Sequence, residues 1–273
     1  MISRFSLPLL ALLALPGAAL AADATVGPYE AAPAPLVTAA NDYGDSDIVI
    51  ELGISGIMVP SYEGSDDVDF GVSPIIDLEY LNIPGIGAFG GKDGRGFSIG
   101  PSFGYTGERD EDDLVGLNDV DATYEIGLKA SYEWDYAEIY GAGRYAFGGA
   151  EGVIGEVGGN LIARPTEAWE LKAGPLATFA SSGYMDEYFS VSAAEAARSG
   201  GKFDAYEADG GFKSVGVAAS AKYEVFTDWF LRADASYERL VSDAKDSPVV
   251  DAGSADQFRV GLGVSHRFSL DLF

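Results

Sequence analysis

Tyr-Glu-Val-Phe-Thr-Asp-Trp-Phe-Leu-Arg-Ala-Asp-Ala-Ser-Tyr, residues 223–237, alternates in steps of two. Trp229, Leu231, Ala233, Ala235 and Tyr237 fall on one face, and Arg232, Asp234, Ser236 and Glu238 fall on the other. A period of two is that of a β-strand, and a charged face needs water or charged partners. The opposite face needs an apolar surrounding. No long apolar run follows the N-terminal one, so a sheet that crosses a membrane must close on itself to satisfy its edge amides. The expected fold is all-β, a transmembrane antiparallel β-barrel.

The N-terminus explains how such a chain reaches its membrane. Arg4, the apolar run 5–15, Pro16-Gly17 and then Ala19-Leu20-Ala21 follow the order of a cleavable secretory signal, which predicts residues 1–21 as a signal peptide cut before Ala22. The chain has no cysteine, so neither disulfides nor thiolate ligands support the fold, which suits a Gram-negative envelope. With 43 acidic and 17 basic residues the formal charge is -26, which disfavours nucleic acid and anionic headgroups as general partners. The 36 glycines, 15 tyrosines and 15 phenylalanines suit tight turns joining strands whose ends meet a membrane interface.

Residues 22–46, rich in Ala and Pro, read as a flexible periplasmic segment or short plug, and 47–273 as the barrel. Strands are expected at 47–59, 69–80, 96–106, 121–132, 136–147, 155–163, 167–179, 210–225, 229–240 and 256–268. That is about ten, with twelve as the alternative. The passage 84–95 is either one long turn or hides a short hairpin strand at 86–89. Pro74 interrupts the second strand, which fits a bulge or rim better than a paired interior. Given a periplasmic N-terminus, the short links near 133–135, 165 and 227–228 lie inside and the long links 60–68, 107–120, 180–209 and 241–255 outside. Within 180–209, residues 192–198 have the composition for a helical turn or two.

The alternation turns Glu51, Asp77, Glu125, Lys129, Arg144, Glu170, Lys172, Lys222, Glu224, Arg232, Asp234 and Glu238 inward. Paired across strands they close a narrow lumen; unpaired they line a water-filled pore that favours cations. Tyr62, Glu63, Ser65, Asp66 and Asp67 offer oxygens that suit Ca²⁺, but without an EF-hand pattern they read better as a rim turn. Glu108, Asp110, Glu111, Asp112 and Asp113 repel one another into an extended solvated loop. The sole histidine, His266, falls in phase with Val264 and Phe268 on the lipid face, where it serves as no general base. No catalytic, metal or cofactor site is expected.

The links carry a second kind of information. Pro60-Ser61-Tyr62-Glu63-Gly64-Ser65-Asp66-Asp67, Gly100-Pro101-Ser102, Gly183-Tyr184-Met185 with Tyr188-Phe189, Ser199-Gly200, Tyr237-Glu238-Arg239-Leu240 and Ser247-Pro248-Val249-Val250 occur in this order. Together they resemble the MltA-interacting protein family, also called MipA/OmpV, over residues 47–268. The resemblance implies a bacterial outer-membrane barrel. It further implies a scaffold that brings a lytic murein transglycosylase together with a murein synthase, while other members are described as porin-like, osmotically regulated or adhesive. Outer-membrane barrels commonly end in an aromatic residue, and here two compete. Phe268 closes the regular series from Phe258, whereas Phe273 ends a tail whose alternation Ser269 and Asp271 break.

The leading expectation is therefore a non-enzymatic scaffold anchored in outer-membrane lipid, acting by local concentration of its partners. Reachable from the periplasm are 22–46 and the 81–95 link. A small channel for cations or neutral solutes and an adhesin using 180–209 and 241–255 are the alternatives.

Overall fold

The computed structural model describes residues 43–91 and 95–272. The expected signal peptide, most of the 22–46 segment and Phe273 lie outside the described residues. Strand-forming alternation yields β1 (Ile48–Pro60), β2 (Val68–Ile83), β3 (Gly87–Gly90), β4 (Gly96–Thr106), β5 (Thr123–Glu133), β6 (Ala137–Gly148), β7 (Gly152–Ala163), β8 (Trp169–Ala180), β9 (Gly211–Phe226), β10 (Trp229–Leu240) and β11 (Asp256–Leu270). All pair antiparallel in the order β3-β2-β1-β11-β10-β9-β8-β7-β6-β5-β4. The first and last long strands thus zip together, from Ile48 opposite Leu270 to Met58 opposite Val260.

Among the described residues the sheet has eleven strands, where about ten, or twelve, were expected. Ten are long; the eleventh, β3, is the short hairpin strand, pairing only with residues 80–83 of β2. Its last residue, Gly90, has φ +77°, and a Cβ there would lie 2.1 Å from the Glu79 carbonyl oxygen. Only glycine ends the hairpin this way. β3 and β4 run in the same direction, so β4 has an antiparallel neighbour on that side only in β2. Among the described residues no hydrogen-bonded ladder joins β2 to β4. They stand side by side all the same, since a Cβ on Gly100 would sit 3.7 Å from Leu78 Cβ. The barrel is therefore nearly closed, with one seam that carries no ladder among the described residues.

Two further boundaries differ from expectation. β11 continues past Phe268, because Ser269 and Leu270 pair with Val49 and Ile48. The final residues of the segment expected to be flexible are docked: the Tyr43 ring lies 5.6 Å from that of Tyr80, and its hydroxyl donates to Glu79 at 2.9 Å.

Outward residues mark the bilayer. Tyr132, Tyr136, Trp169, Phe226, Trp229 and Phe268 form an exposed aromatic belt near the short turns. Phe70, Phe103, Tyr124, Tyr145, Phe212 and Phe258 form another near the long links. Between them the exposed wall is aliphatic, as at Ile54, Ile126, Leu128, Leu161 and Leu262. Two aromatic belts flanking an aliphatic band are what a membrane barrel needs. His266 belongs to the first belt, its ring 4.7 Å from both Trp229 and Phe268.

Candidate functional site

Inward side chains form three charge networks along the lumen. In the first, Glu51 accepts from Arg232 at 2.6 Å and lies 2.5 Å from Lys222. Arg232 also reaches Asp77 at 2.9 Å, while Glu79 is held by Lys222 and Arg267, both at 2.6 Å. Because Lys222 is on β9 and Glu79 on β2, this pair forms a chord across the interior.

A second network joins Glu133 to Arg164 at 2.5 Å and to Lys172 at 2.8 Å, with Glu170 2.6 Å from Arg164. In the third, Arg144 donates to Glu125 at 2.7 Å and to Glu156 at 3.1 Å, and reaches the Ser102 hydroxyl. Burying charge is costly unless partners compensate it, and alternate strand positions supply them here.

The remaining inward candidates have other roles. Glu238 accepts from Ser214 at 2.5 Å, and Glu224 accepts the Asp228 amide at the β9–β10 turn rather than joining a network. Lys129 is loosely held, 3.8 Å from Glu138 with its ammonium over the Tyr140 ring. At the short-turn end the first two networks surround a cavity of about 940 Å³, lined by Glu79, Glu133, Lys172, Lys222 and Arg267 among others.

The opposite end is covered. The long links fold into α1 (Ser182–Phe189), α2 (Ala193–Arg198), α3 (Ser242–Lys245) and α4 (Pro248–Ala252). Of these only the 192–198 turn was legible. Ser192 caps α2, with its hydroxyl accepting the Glu195 amide and Glu195 accepting the Ser192 amide in return. Tyr184, Met185, Tyr188 and Phe189 of α1 are buried with Leu240, Ala244 and Val250. A neighbouring cluster gathers Tyr62, Leu114, Leu117, Val191, Phe203 and Val249.

Glu63 is the polar centre of this cap. The first link turns directly after β1, the Ser65 amide donating to the Tyr62 carbonyl at 3.0 Å, and it buries Tyr62, Glu63 and Ser65 while leaving Asp66 and Asp67 exposed. Glu63 pairs with Lys213, accepts from the Tyr184 hydroxyl at 3.0 Å and lies 3.8 Å from Arg259. Burial pushes its carboxyl upward, but Lys213 and Arg259 outweigh this and hold it below the usual glutamate value. Burial, and then the Glu63 charge, drive the Tyr184 phenol upward, so it stays a donor.

The quoted loop motifs interlock around this centre. Gln257 receives the Gly64 amide and donates to the Ser65 carbonyl. Ser247 donates to the Phe189 carbonyl at 2.6 Å while accepting the Val249 amide. Gly64 has φ +94°, and a Cβ there would lie 2.8 Å from a Val250 methyl, so glycine is required for this close approach. Residues 61–67, 182–189 and 247–250, far apart in sequence, thus meet in one place.

The acidic stretch after β4 is compact, correcting the extended loop expected there. Backbone amides of Asp110 and Glu111 donate to Asp113 and Asp119, and Arg109 pairs in both directions with Val120. Arg109 is buried and its guanidinium donates to the Tyr188 and Asn118 carbonyls. That contribution was missed, because nothing in the spacing separates it from its acidic neighbours. Among the described residues no group of three or more His, Asp or Glu side chains is arranged to hold a metal.

A comparison with known families matches residues 52–268 to "MltA-interacting protein MipA". The chain belongs to the MipA family. It is an outer-membrane barrel in which the loop motifs quoted from the sequence build the cap. Outer membrane protein Omp26La of Vibrio anguillarum is 35% identical over 91 residues, and the match spans about one third of either chain. Among solved structures, Pseudomonas putida OprB aligns at 10% identity over 63% of this chain and 44% of its own, with a TM-score of 0.34. The N-terminal barrel of Pseudomonas aeruginosa OprF aligns at 10% identity over 82% of this chain and 99% of its own, with a TM-score of 0.30.

Proposed function

We propose that this MipA-family barrel is a membrane-anchored scaffold whose short-turn end faces the periplasm and holds a lytic murein transglycosylase beside a murein synthase. The family name points to the transglycosylase, and the synthase rests on the resemblance of the loop motifs alone. One structural observation favours presentation over conduction: the mouth at the long-link end is covered by α1. Tyr184 and Tyr188 reach Glu63 after β1 and Thr106 and Thr123 on β4 and β5. A solute entering the charged cavity from the short-turn end meets this cap. The scaffold would act by raising the local concentration of one enzyme near the other, with no chemistry of its own.

Cross-linking in cells carrying a tagged copy, followed by capture from the outer membrane and mass spectrometry, tests this reading. Enrichment of a transglycosylase or synthase over an unrelated tagged barrel is expected. Their absence, with sizeable single-channel conductance in planar bilayers, would overturn it in favour of a channel.

A further inference from the structure

At the capped end a hollow of about 610 Å³ lies between the end of α1, the start of α2 and the bridge that pairs Val191 with Tyr206. It shares no residue with the cavity at the short-turn end. Arg109 is its one cationic lining residue, and only 2% of that residue is exposed. The guanidinium donates to the carbonyls of Tyr188 at 3.0 Å and Asn118 at 3.4 Å, while Nε has no hydrogen-bond partner. Both acceptors are neutral, and among the described residues no carboxylate forms an ion pair with this group. A buried guanidinium ordinarily holds a carboxylate, often through two parallel bonds. Burial lowers its pKa, and the charge of Glu195 and other neighbours does not make up the difference. Arg109 therefore suits an anionic group with acceptor oxygens.

The rest of the charged lining has the opposite sign. Asp186 and Glu187, in the last turn of α1, and Glu207 are all exposed there. Neither the Glu187 nor the Glu207 carboxylate makes a hydrogen bond or ion pair among the described residues. Burial raises the Glu187 carboxyl, Arg109 opposes this, and the charges of Glu195 and Asp186 add to the rise. A cation beside it would relieve that repulsion. The Tyr206 ring also lines the hollow, its hydroxyl fixed on the Asp243 carbonyl at 2.8 Å, and aromatic faces attract ammonium groups.

We propose that this hollow binds a basic amino acid of the lysine kind, its carboxylate on Arg109 and its ammonium groups against Asp186, Glu187 and Glu207. The acids alone would attract any cation, so selectivity for an amino acid rests on Arg109. One lining cation against three exposed acids favours a ligand of net positive charge over one whose charges cancel. A hollow of this size falls in the usual range for small-molecule sites and takes lysine whole.

The full chain in a non-ionic detergent, at about 150 mM salt to screen general attraction, is titrated with L-lysine, cadaverine and 6-aminohexanoate and followed by ligand-detected NMR. Cadaverine is lysine without its carboxylate, and 6-aminohexanoate is lysine without its α-ammonium. The series therefore tests Arg109 without disturbing the cap that it supports.

Lysine is expected to bind saturably, and each analogue about tenfold more weakly. The double variant Glu187→Gln, Glu207→Gln should weaken lysine binding about tenfold, while Asp251→Asn, at an exposed acid on α4 outside the lining, should leave it unchanged. Absence of saturable lysine binding to the wild type would overturn the site. Cadaverine binding as tightly as lysine would overturn the carboxylate contact, and 6-aminohexanoate doing so would overturn the preference for a basic ligand. Equal losses from the double variant and from Asp251→Asn would reduce the acids to a general field and also overturn the site. Because the hollow lies at the capped end, each of these results leaves the scaffold reading untouched.

Discussion

Glu63 shows how much one side chain can carry. It lies in a link that alternation alone reads as a rim turn, yet its carboxylate holds together the starts of β9 and α1. Replacing it by Gln leaves Lys213 buried without a counter-charge, which should weaken the cap by about 3 kcal/mol. Amide hydrogen exchange across α1 reads this loss, and unchanged exchange would refute it. Because the folded carboxyl lies below its ordinary value of 4.5, its stabilisation is complete above that pH and is lost as the pH falls through the lowered value. Exchange in α1, corrected for intrinsic rates, should therefore rise in acid for the wild type and much less for Glu63→Gln.

Among elements, strands and links were unequally legible. The ten long strands stand close to where a period of two places them, because one face must meet lipid and the other the charged lumen. Leu128, exposed at mid-wall, is a clean probe: Leu128→Arg should reduce barrel stability by about 2–4 kcal/mol in refolding titrations into lipid. The helices were mostly illegible because α1, α3 and α4 have at most eight residues and owe their form to packing under the links rather than to propensity. α2 was the exception, since its composition showed in the sequence. Its Ser192 cap should be worth about 1 kcal/mol, so Ser192→Ala should speed proteolysis after Arg198 severalfold while the barrel resists digestion. β3 lay beyond firm reading because four residues in a glycine-rich passage carry too little pattern to separate a strand from a turn.

For the molecule as a whole, strand phase put the charges on one face, but it could not say which of them meet. Lys222 meets Glu79 at a separation of 143 residues, set by how far the sheet curls and not by any local signal. The cap likewise joins motifs that the sequence showed only in order. Replacing residues 182–209 by a short Gly-Ser turn should leave a folded barrel whose planar-bilayer conductance rises well above that of the wild type and prefers cations. Unchanged conductance would mean that the lumen networks alone block passage.

The first and last strands are zipped to each other, while the interruption lies between β2 and β4. This makes the chain divisible. The β1–β2–β3 portion is joined to the other eight strands by hydrogen-bond ladders only along β11, so covalent continuity through 91–95 is not what keeps it in place. Two polypeptides, severed within that link and exported separately, should therefore reconstitute one heat-modifiable barrel. The severed protein would be a reporter for envelope assembly, its signal appearing only when the two pieces find each other in the membrane.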